Sequence, residues 1–370
     1  VKSVIVNKED LKHNIEVIKE YSKKHNSGNN TKIIAVVKSN AYGLGLIEYT
    51  KFLIDNDIDC FAVSTVEEAI SLRKAEIKQD ILMLSSTSIE EDVEKLIDNN
   101  IILTIGSLKA KEVIEKVTNR KNIIVRAHIA IDTGFGRYGF LYNQKEEILQ
   151  VIQHIENIKI EGIFSHFSLA FYNKDKWTQK QFYRFQEVIN YLKENNIDVG
   201  IKHICNSSAF IKFPRMHLDA VRIGSAFLGR ISVENKIGLK KIGYLKSEVA
   251  EIKRLPKKWN VGYSNIFKTK KETLIALAHV GYSDGFNVRV YPDMFRLIDK
   301  MRYLVNSIKD FFRKKNLNVI INGKIYKIIG RLGMYHITLD ITGSDIKIGD
   351  EILLDINPIY VDSNIRREYK

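Results

Sequence analysis

The chain has 370 residues, of which 45% are hydrophobic and 28% charged. This composition is typical of a globular protein, and the length accommodates one large domain and one smaller domain. The formal net charge is +14. The lysines are scattered, however, and no block of five like charges occurs, so charge alone does not indicate a nucleic-acid partner and none is expected.

The cysteine content and the hydropathy favour a cytoplasmic protein. Cys60 and Cys205 are too few for a disulfide framework and show no spacing typical of a metal site, so a reducing setting and no bound metal are expected. No apolar run reaches the roughly 18 residues needed to cross a bilayer, so we expect no membrane contact by this segment. Because the chain begins with Val1, it could also be the cytoplasmic domain of a membrane-anchored protein.

The first 235 residues predict an α/β fold. A strand in residues 1–8, expected to join the C-terminal domain, precedes an amphipathic helix at 8–24. Buried parallel strands are then predicted at 33–38, 60–64, 81–84, 101–105, 123–131, 158–167, 201–205 and 220–224. Eight such strands with intervening helices predict a (β/α)8 barrel of the TIM type over residues 9–235. An open doubly wound sheet is disfavoured, because no G-x-G-x-x-G opens the first βα unit.

Residues 236–370 predict a mainly-β domain. Short apolar runs occur at 261–266, 274–280, 319–321, 325–329, 337–341 and 351–354. An amphipathic helix is inserted at about 292–315, with apolar residues at alternating spacings of four and three: Met294, Ile298, Met301, Val305, Ile308 and Phe312. This stripe favours packing on the domain beneath it, and an intersubunit or partner role is the alternative.

A lysine ends the first barrel strand, where barrels place their active sites. Lys38 follows an apolar run and precedes a turn with Gly43 and Gly45, which allow close approach of the backbone to a ligand. Burial would lower the pKa of the amine and make it a nucleophile able to form a Schiff base. From spacing alone, a surface lysine whose stem covers apolar residues is an equally good interpretation.

Polar residues also end later barrel strands. Arg137 follows the fifth strand in a glycine-rich loop and is suited to clamp a carboxylate with two hydrogen bonds. The remaining strand-end candidates are His166, Asn206, Ser207, Arg222, Gly224 and Ser225. Ser207 with the backbone N–H groups around Gly224 and Ser225 predicts a phosphate site after strands seven and eight. Each residue alone is more often structural, but together they favour an active site.

The segment A-V-V-K-S-N-A-Y-G-L-G from Ala35 resembles the cofactor-lysine signature of the alanine racemase family. Similar motifs follow in the family's order: D-T-G-F-G-R-Y-G-F from Asp132, G-I-F-S-H-F from Gly162, H-I-C-N-S-S from His203, V-R-I-G from Val221, V-G-Y from Val261, V-G-Y-S-D-G-F from Val280 and G-R-L-G-M from Gly330. The resemblance implies a pyridoxal 5'-phosphate enzyme that acts on a small amino acid. It also implies a head-to-tail homodimer whose active sites are shared between subunits.

The resemblance also implies roles for individual residues. Lys38 would carry the cofactor and act as one base, and Tyr263 from the partner subunit would act as the other. Arg137 would lie near the cofactor phenolate and the substrate carboxylate, His166 would pack on the pyridine ring, and Arg222 would face the ring nitrogen. The other cofactor contacts would come from Tyr42, Asn206, Ser207, Gly224 and Ser225, and the other substrate contacts from Tyr282, Met334, Ser363 and Asn364.

Racemisation needs proton removal on one face of the α carbon and return on the other, so two bases suffice once the cofactor supplies carbanion stabilisation. An arginine does not readily protonate the ring nitrogen, so Arg222 favours restrained carbanion stabilisation. One alternative is an amino-acid decarboxylase on the same barrel, which would favour an acidic residue there. The other is a non-catalytic pyridoxal-phosphate carrier, which would lack the β domain and leave Tyr263 without a role.

Three positions depart from the family pattern. Ala130 stands where a lysine commonly precedes the arginine by seven residues, so another group, such as an anion, must orient Arg137. Tyr335 and His336 change the usual M-D-Q, and Ser363 or Asn364 replaces a phosphate-binding tyrosine. With the inserted helix, these changes look similar to the racemase domain of vancomycin-resistance serine/alanine racemases. They lead us to expect serine as well as alanine as substrate, with D-amino acids supplied for peptidoglycan precursors.

Overall fold

The computed structural model describes residues 2–25, 31–288, 290, 295–312 and 317–370, without the side chains of 310–312. The chain divides into two compact units. One comprises Lys8–Ile242, and the other combines Val1–Asn7 with Gly243–Lys370. The sequence-based boundary at residue 235 falls a few residues before the boundary between these units.

The unit Lys8–Ile242 is a nearly closed parallel barrel surrounded by helices, which confirms the predicted fold class. The chain first forms β1 (Ser3–Val6), which belongs to the other unit. The barrel strands, with the short β7 beside them, are β2 (Lys32–Val36), β3 (Cys60–Val63), β4 (Asp80–Met83), β5 (Leu103–Ile105), β6 (Val125–Asp132), β7 (Phe140–Leu141), β8 (Ile158–Phe164), β9 (Ile201–His203) and β10 (Ala220–Ile223). The helical segments are α1 (Lys8–Lys24), α2 (Lys38–Tyr42), α3 (Leu46–Ile54), α4 (Val66–Lys74), α5 (Glu90–Asp98), α6 (Leu108–Lys121), α7 (Lys145–Gln153), α8 (Lys176–Glu194) and α9 (Ser207–Lys212).

The barrel strands pair in the order β4-β3-β2-β10-β9-β8-β6-β5, and β7 pairs with β6. A parallel bridge between Leu82 and Ile102 joins the two ends of this order. Strands enclosed by helices on one side and by the barrel interior on the other are apolar on both faces, which explains their continuous hydrophobic runs. Ile34 and Ala35, for example, point to opposite faces of β2 and are both fully buried.

The second unit is mainly β, as expected. Its strands are β1 together with β11 (Tyr244–Leu255), β12 (Asn260–Val261), β13 (Phe267–Lys268), β14 (Thr273–Ala278), β15 (Asn318–Ile321), β16 (Lys324–Ile329), β17 (Ile337–Asp340), β18 (Glu351–Asp355) and β19 (Arg366–Tyr369). The main sheet has the order β14-β17-β16-β15-β18-β11-β1-β19, and β14 also pairs with β11. β1 therefore lies in this sheet, antiparallel to β11 and parallel to β19.

Several strand predictions for this unit were wrong, and the short β13 and β19 were also missed. The 12-residue β11 was missed, because its buried positions Leu245, Ser247 and Val249 alternate with charged residues that obscure the apolar pattern. The strand predicted at 261–266 ends at Val261. Gly262 and Ser264 have φ values of 75° and 61°, which turn the backbone away from an extended conformation.

The inserted helix is present as α10 (Leu297–Phe312). The ends of the predicted helix, at 292–294 and 313–315, lie outside the described residues, as do Met294 and the side chain of Phe312. None of the described helices is long and apolar enough to cross a membrane. Within the same residues, no three His, Cys, Asp or Glu side chains are grouped as metal ligands would be.

The position of β11 in the sheet makes its buried side chains sensitive to truncation. Leu245 is fully buried on a strand that pairs with β1 and β18, so Leu245→Ala should lower the free energy of unfolding by about 2–5 kcal/mol. The exposed Glu251→Ala on the same strand should change it by less than about 0.5 kcal/mol. Urea unfolding followed by circular dichroism measures both, and equal losses would contradict this account of the packing.

Candidate active site

A cavity of about 420 Å³ opens at the carboxyl ends of the barrel strands. It brings together every barrel residue predicted for the site: Lys38, Tyr42, Arg137, His166, Asn206, Ser207, Arg222, Gly224 and Ser225. The volume lies in the range of ordinary small-molecule sites. These residues come from five different strand ends, so their convergence is a property of the barrel.

Lys38 lies two residues after the end of β2, at the start of α2, and is half-buried in this cavity. Burial lowers the pKa of its amine, and the neighbouring Arg137 cation lowers it further. Glu68 acts in the opposite direction, because its carboxylate favours the ammonium form. A depressed pKa increases the neutral fraction of the amine, which is the form that attacks a carbonyl group and accepts a proton.

The backbone after Lys38 is left-handed through residues 39–42, where φ lies between 52° and 55°. L-residues pay about 1–2 kcal/mol each for this conformation, so the surroundings must hold it. The Asn40 Oδ1 accepts a hydrogen bond from the Leu46 N–H at 2.8 Å, and a Glu68 carboxylate oxygen accepts one from the Ser39 N–H. The strained turn places Lys38 and Tyr42 on the same cavity wall.

Tyr42, Ser207 and Gly224 form a polar corner of the cavity. The Ser207 Oγ accepts hydrogen bonds from the Gly224 and Ala226 N–H groups at 3.1 and 3.2 Å, so its own O–H remains as a donor. A Cβ on Gly224 would lie 2.3 Å from the Tyr42 hydroxyl oxygen, so only glycine permits this approach. Burial raises the pKa of Tyr42 to about 12 and keeps its phenol protonated as a donor.

Arg222 is a buried cation on β10 whose hydrogen-bond acceptors are uncharged. It donates to the Ser165 carbonyl oxygen at 2.6 Å, to the His203 Nδ1 at 2.7 Å and to the His166 Nδ1 at 3.1 Å. Burial lowers its pKa to about 10, so the guanidinium stays protonated at neutral pH. Its position is therefore fixed from several sides while its charge is kept.

These bonds determine the tautomers of three buried histidines. Arginine only donates, so the Nδ1 atoms of His166 and His203 must accept and their protons lie on Nε2. The His203 Nε2 then donates to the His128 Nδ1, 2.9 Å away, which places the His128 proton on Nε2 as well. Burial lowers the pKa of all three, that of His128 to about 3, so the rings are neutral.

Arg137 is held by the loop that carries it. The Asp132 carboxylate accepts hydrogen bonds from the Gly134, Phe135 and Gly136 N–H groups at 2.7–2.9 Å and so closes the turn. The Arg137 guanidinium stacks 4.4 Å from the Phe135 ring centroid, and that ring packs edge-on against His166. Phe135 is thus the ring that lies against the Arg137 guanidinium, and the Tyr138 ring centroid lies further away, at 5.9 Å.

Asn206 lies in the cavity wall, but its side chain has structural partners. The Oδ1 accepts from the Ala209 N–H at 3.1 Å, and the Nδ2 donates to the Phe167 carbonyl oxygen at 3.4 Å.

The sequence also missed Glu68, whose carboxylate binds the Ser39 and Ser64 N–H groups. Thr65 is the N-cap residue of α4, and Glu68 follows it by three residues. This T-x-x-E spacing is typical of a helix N-terminus and could have identified Glu68 from the sequence.

The candidate residues of the β unit lie on its surface. The side chains of Tyr263, Tyr282 and Met334 are 70%, 47% and 50% exposed. Two loops are joined by hydrogen bonds from the Tyr282 N–H to the Gly333 carbonyl oxygen and from the Ser283 N–H to the Met334 carbonyl oxygen. Ser363 and Asn364 are also exposed, in a turn held by Arg367, which donates to the Ser363 carbonyl oxygen.

The family model described as "Alanine racemase, N-terminal domain" matches residues 6–231, and the model "Alanine racemase, C-terminal domain" matches residues 242–361. The chain belongs to the alanine racemase family. This confirms the family resemblance seen in the motifs. It also identifies the chain as a racemase of the class that depends on pyridoxal 5'-phosphate.

Individual relatives agree with this membership. The chain is 34% identical to an alanine racemase of Clostridium tetani over 93% of its own length and 83% of the relative. It is 33% identical to an alanine racemase of Methanococcus maripaludis over 92% and 85% of the two chains. The structure of an alanine racemase from Clostridium difficile matches with a TM-score of 0.82 and 28% identity, covering 98% of this chain and 93% of the other.

The cavity residues fit pyridoxal 5'-phosphate chemically. Lys38 would supply an amine of lowered pKa for the aldehyde, and the hydroxyls of Tyr42 and Ser207 would supply donors for the phosphate. Arg222 supplies a fixed cation that donates but does not accept. The Tyr42 phenol lies against Gly224, whose N–H donates to the Ser207 Oγ, so the two hydroxyls belong to the same corner.

The series of hydrogen bonds from Arg222 through His203 to His128 predicts that His128 helps to hold Arg222 in place. His128→Leu keeps the approximate volume but leaves the buried His203 Nε2–H without an acceptor, which should cost about 1–3 kcal/mol of stability. It should also lower kcat/KM for alanine by about tenfold through misplacement of Arg222. His128→Asn, whose Oδ1 can replace the Nδ1 acceptor, should restore much of both losses. Equal behaviour of the two variants in urea unfolding and racemase assays would refute the role of His128 as the hydrogen-bond acceptor that holds His203 and Arg222.

Proposed function

We propose that the protein is a pyridoxal-phosphate-dependent racemase that interconverts the L and D forms of alanine and of serine. The observation that carries this proposal is the convergence of Lys38, Arg137 and Arg222 with a polar phosphate corner in one cavity. We place the enzyme in the cytoplasm, supplying D-amino acids for peptidoglycan precursors. The departures at Ala130, Tyr335 and Ser363 support the vancomycin-resistance type, which they resemble.

Lys38 serves as the base on one face of the substrate α carbon. When bound, the cofactor supplies the electron sink that acidifies the α hydrogen of the amino acid. The Lys38 Nζ, whose pKa burial lowers, accepts this proton and can return it. Arg137, held against Phe135 at the cavity mouth, is placed to bind the substrate carboxylate and to hold the α carbon over Lys38.

Tyr263 serves as the base on the opposite face and comes from a second subunit. Its side chain is 70% exposed on the β unit, which leaves the phenol accessible to another chain. The Ser264 Oγ accepts a hydrogen bond from Arg331 at 3.2 Å and fixes the short helix Tyr263–Asn265 that presents the phenol. Alanine racemases are typically dimeric. We propose a head-to-tail homodimer in which each active site uses both subunits.

Arg222 restricts the chemistry to proton transfer. Its pKa of about 10 keeps it cationic at neutral pH, and its donors are committed to His203, His166 and Ser165. A guanidinium beside the ring nitrogen would not transfer a proton to it, and it would therefore limit carbanion stabilisation. Limited stabilisation favours return of the proton over the side reactions of acid-supported pyridoxal enzymes.

Serine requires a polar group near its hydroxyl. The turn with Ser363 and Asn364 offers a hydroxyl and an amide, both exposed, where a tyrosine is usual in the family. A shorter polar side chain leaves space for the extra oxygen and can hydrogen-bond to it. The difference between serine and alanine is then set mainly by this turn.

The two bases can be tested separately with the purified holoenzyme. Lys38→Ala should fail to form the yellow covalent adduct with pyridoxal phosphate and should lack activity. Tyr263→Phe should keep the adduct but lose racemisation by about 10²–10⁴-fold, because one proton-transfer group is missing. In D2O it should still exchange the α hydrogen of one enantiomer by way of Lys38. Full activity of Tyr263→Phe, or inactivity with an unchanged yellow adduct in Lys38→Ala, would refute the two-base assignment.

Serine turnover tests the substrate proposal. The protein should racemise both L-serine and L-alanine, and Asn364→Tyr should lower kcat/KM for serine at least about tenfold more than that for alanine. Asn357→Tyr changes the same residue type outside this turn and should leave the ratio unchanged. Circular dichroism of the amino acids over time measures all of these rates. If the protein racemises alanine but not serine, the assignment as a racemase stands and the proposed serine activity is excluded.

A further inference from the structure

The apolar side of α10 is uncovered. The side chains of Leu297, Ile298, Met301, Leu304, Val305 and Ile308 are each between 44% and 77% exposed. At about 100° per residue they occupy one continuous arc of about 120° of the helix surface. Phe295, just before the helix, is 90% exposed. Packing on the domain beneath, which the sequence favoured, would have buried these residues.

The charges of this helix are arranged around the arc. At the same 100° per residue, Lys300 lies beside one edge of the apolar arc. Arg302 and Lys309 lie beside the other edge. Asp299 lies on the opposite face, where its carboxylate binds Arg296 at 2.7 Å and Arg302 at 3.5 Å. The apolar side chains therefore lie between two basic edges, and Asp299 offsets part of the charge of one edge through its contact with Arg302.

We propose that α10 lies in the surface of a lipid bilayer that contains anionic lipids. Lysine and arginine stems can extend along the apolar face and place their charges among the phosphates, while the apolar arc enters the boundary of the acyl chains. The chain's formal charge of +14 adds a long-range attraction to the same surface. Such a helix lies on a membrane without spanning it. The inference replaces the expectation that this segment has no membrane contact.

The same charges disfavour a second copy of the helix as the occupant. Pairing two α10 helices through their apolar faces would place Lys300, Arg302 and Lys309 of one copy beside the basic edges of the other. Like charges at the positions that flank a helical interface oppose association. The arc is also wider than the narrow seam of a two-helix coiled coil. Anionic headgroups, in contrast, complement both edges at once.

Vesicle flotation of the full chain with its cofactor tests the inference. The protein should float with vesicles of phosphatidylcholine mixed with phosphatidylglycerol and much less with phosphatidylcholine alone. Ile308→Glu should weaken binding by more than about tenfold, because it places a charge in the apolar arc. Asn306→Glu adds the same side chain to the opposite face and is the matched control. The Lys300→Gln, Lys309→Gln double variant should lower binding about fivefold for each lysine removed.

Racemase activity in solution should be the same in all of these variants, because α10 has no place in the catalytic assignments. Absence of flotation, equal binding to both kinds of vesicle, or an equal effect of Asn306→Glu and Ile308→Glu would overturn the inference. A lower assembly mass of Ile308→Glu in analytical ultracentrifugation would also overturn it, because it would show that a second copy covers this face. Flotation that is sensitive to lipid charge and to Ile308→Glu, at unchanged assembly mass, supports it.

Discussion

The site depends on one buried cation. The Arg222 guanidinium lies inside the barrel, where the loss of hydration would be prohibitive without partners, and it is satisfied by three carbonyl oxygens and two histidine nitrogens. Because these acceptors are neutral, the positive charge is positioned without being cancelled by a carboxylate. Their tautomers follow from the direction of the hydrogen bonds. The position of the guanidinium is thus set by groups that extend through the barrel interior to His128.

Two loops at the cavity mouth are held by carboxylates that do not take part in the chemistry. Glu68, in the first turn of α4, accepts hydrogen bonds from the Ser39 N–H after β2 and the Ser64 N–H after β3, and so holds the left-handed turn after Lys38. Asp132 closes the turn that carries Arg137. In both cases an acid satisfies backbone donors that the tight turn leaves without other partners. The conformational cost of these turns is a condition for placing the functional side chains.

The strands of the barrel were easier to predict from the sequence than the strands of the β unit. Barrel strands are buried on both faces, so their apolar runs identified them all. β11 is the longest strand of its sheet, yet it was missed, because one face is solvated and carries charged residues such as Glu248 and Lys253. Gly262 and Ser264 were counted in a strand, because composition does not report positive φ. Solvation of one face and local backbone geometry are the two features that hydropathy does not record.

The sequence by itself determined the fold class, the order of the motifs and the residue types at the strand ends, because burial and periodicity are local properties of a chain. Spacing alone left Lys38 equally consistent with a surface lysine, and the resemblance of its motif to the alanine racemase family favoured the cofactor role. Only the tertiary structure brought Lys38, Arg137 and Arg222 into one cavity, because they are far apart along the chain and meet only through strand pairing. Likewise, only the structure identified Phe135 as the partner of Arg137 and His128 as the end of the histidine chain, since side-chain contacts across a barrel leave no pattern in the sequence.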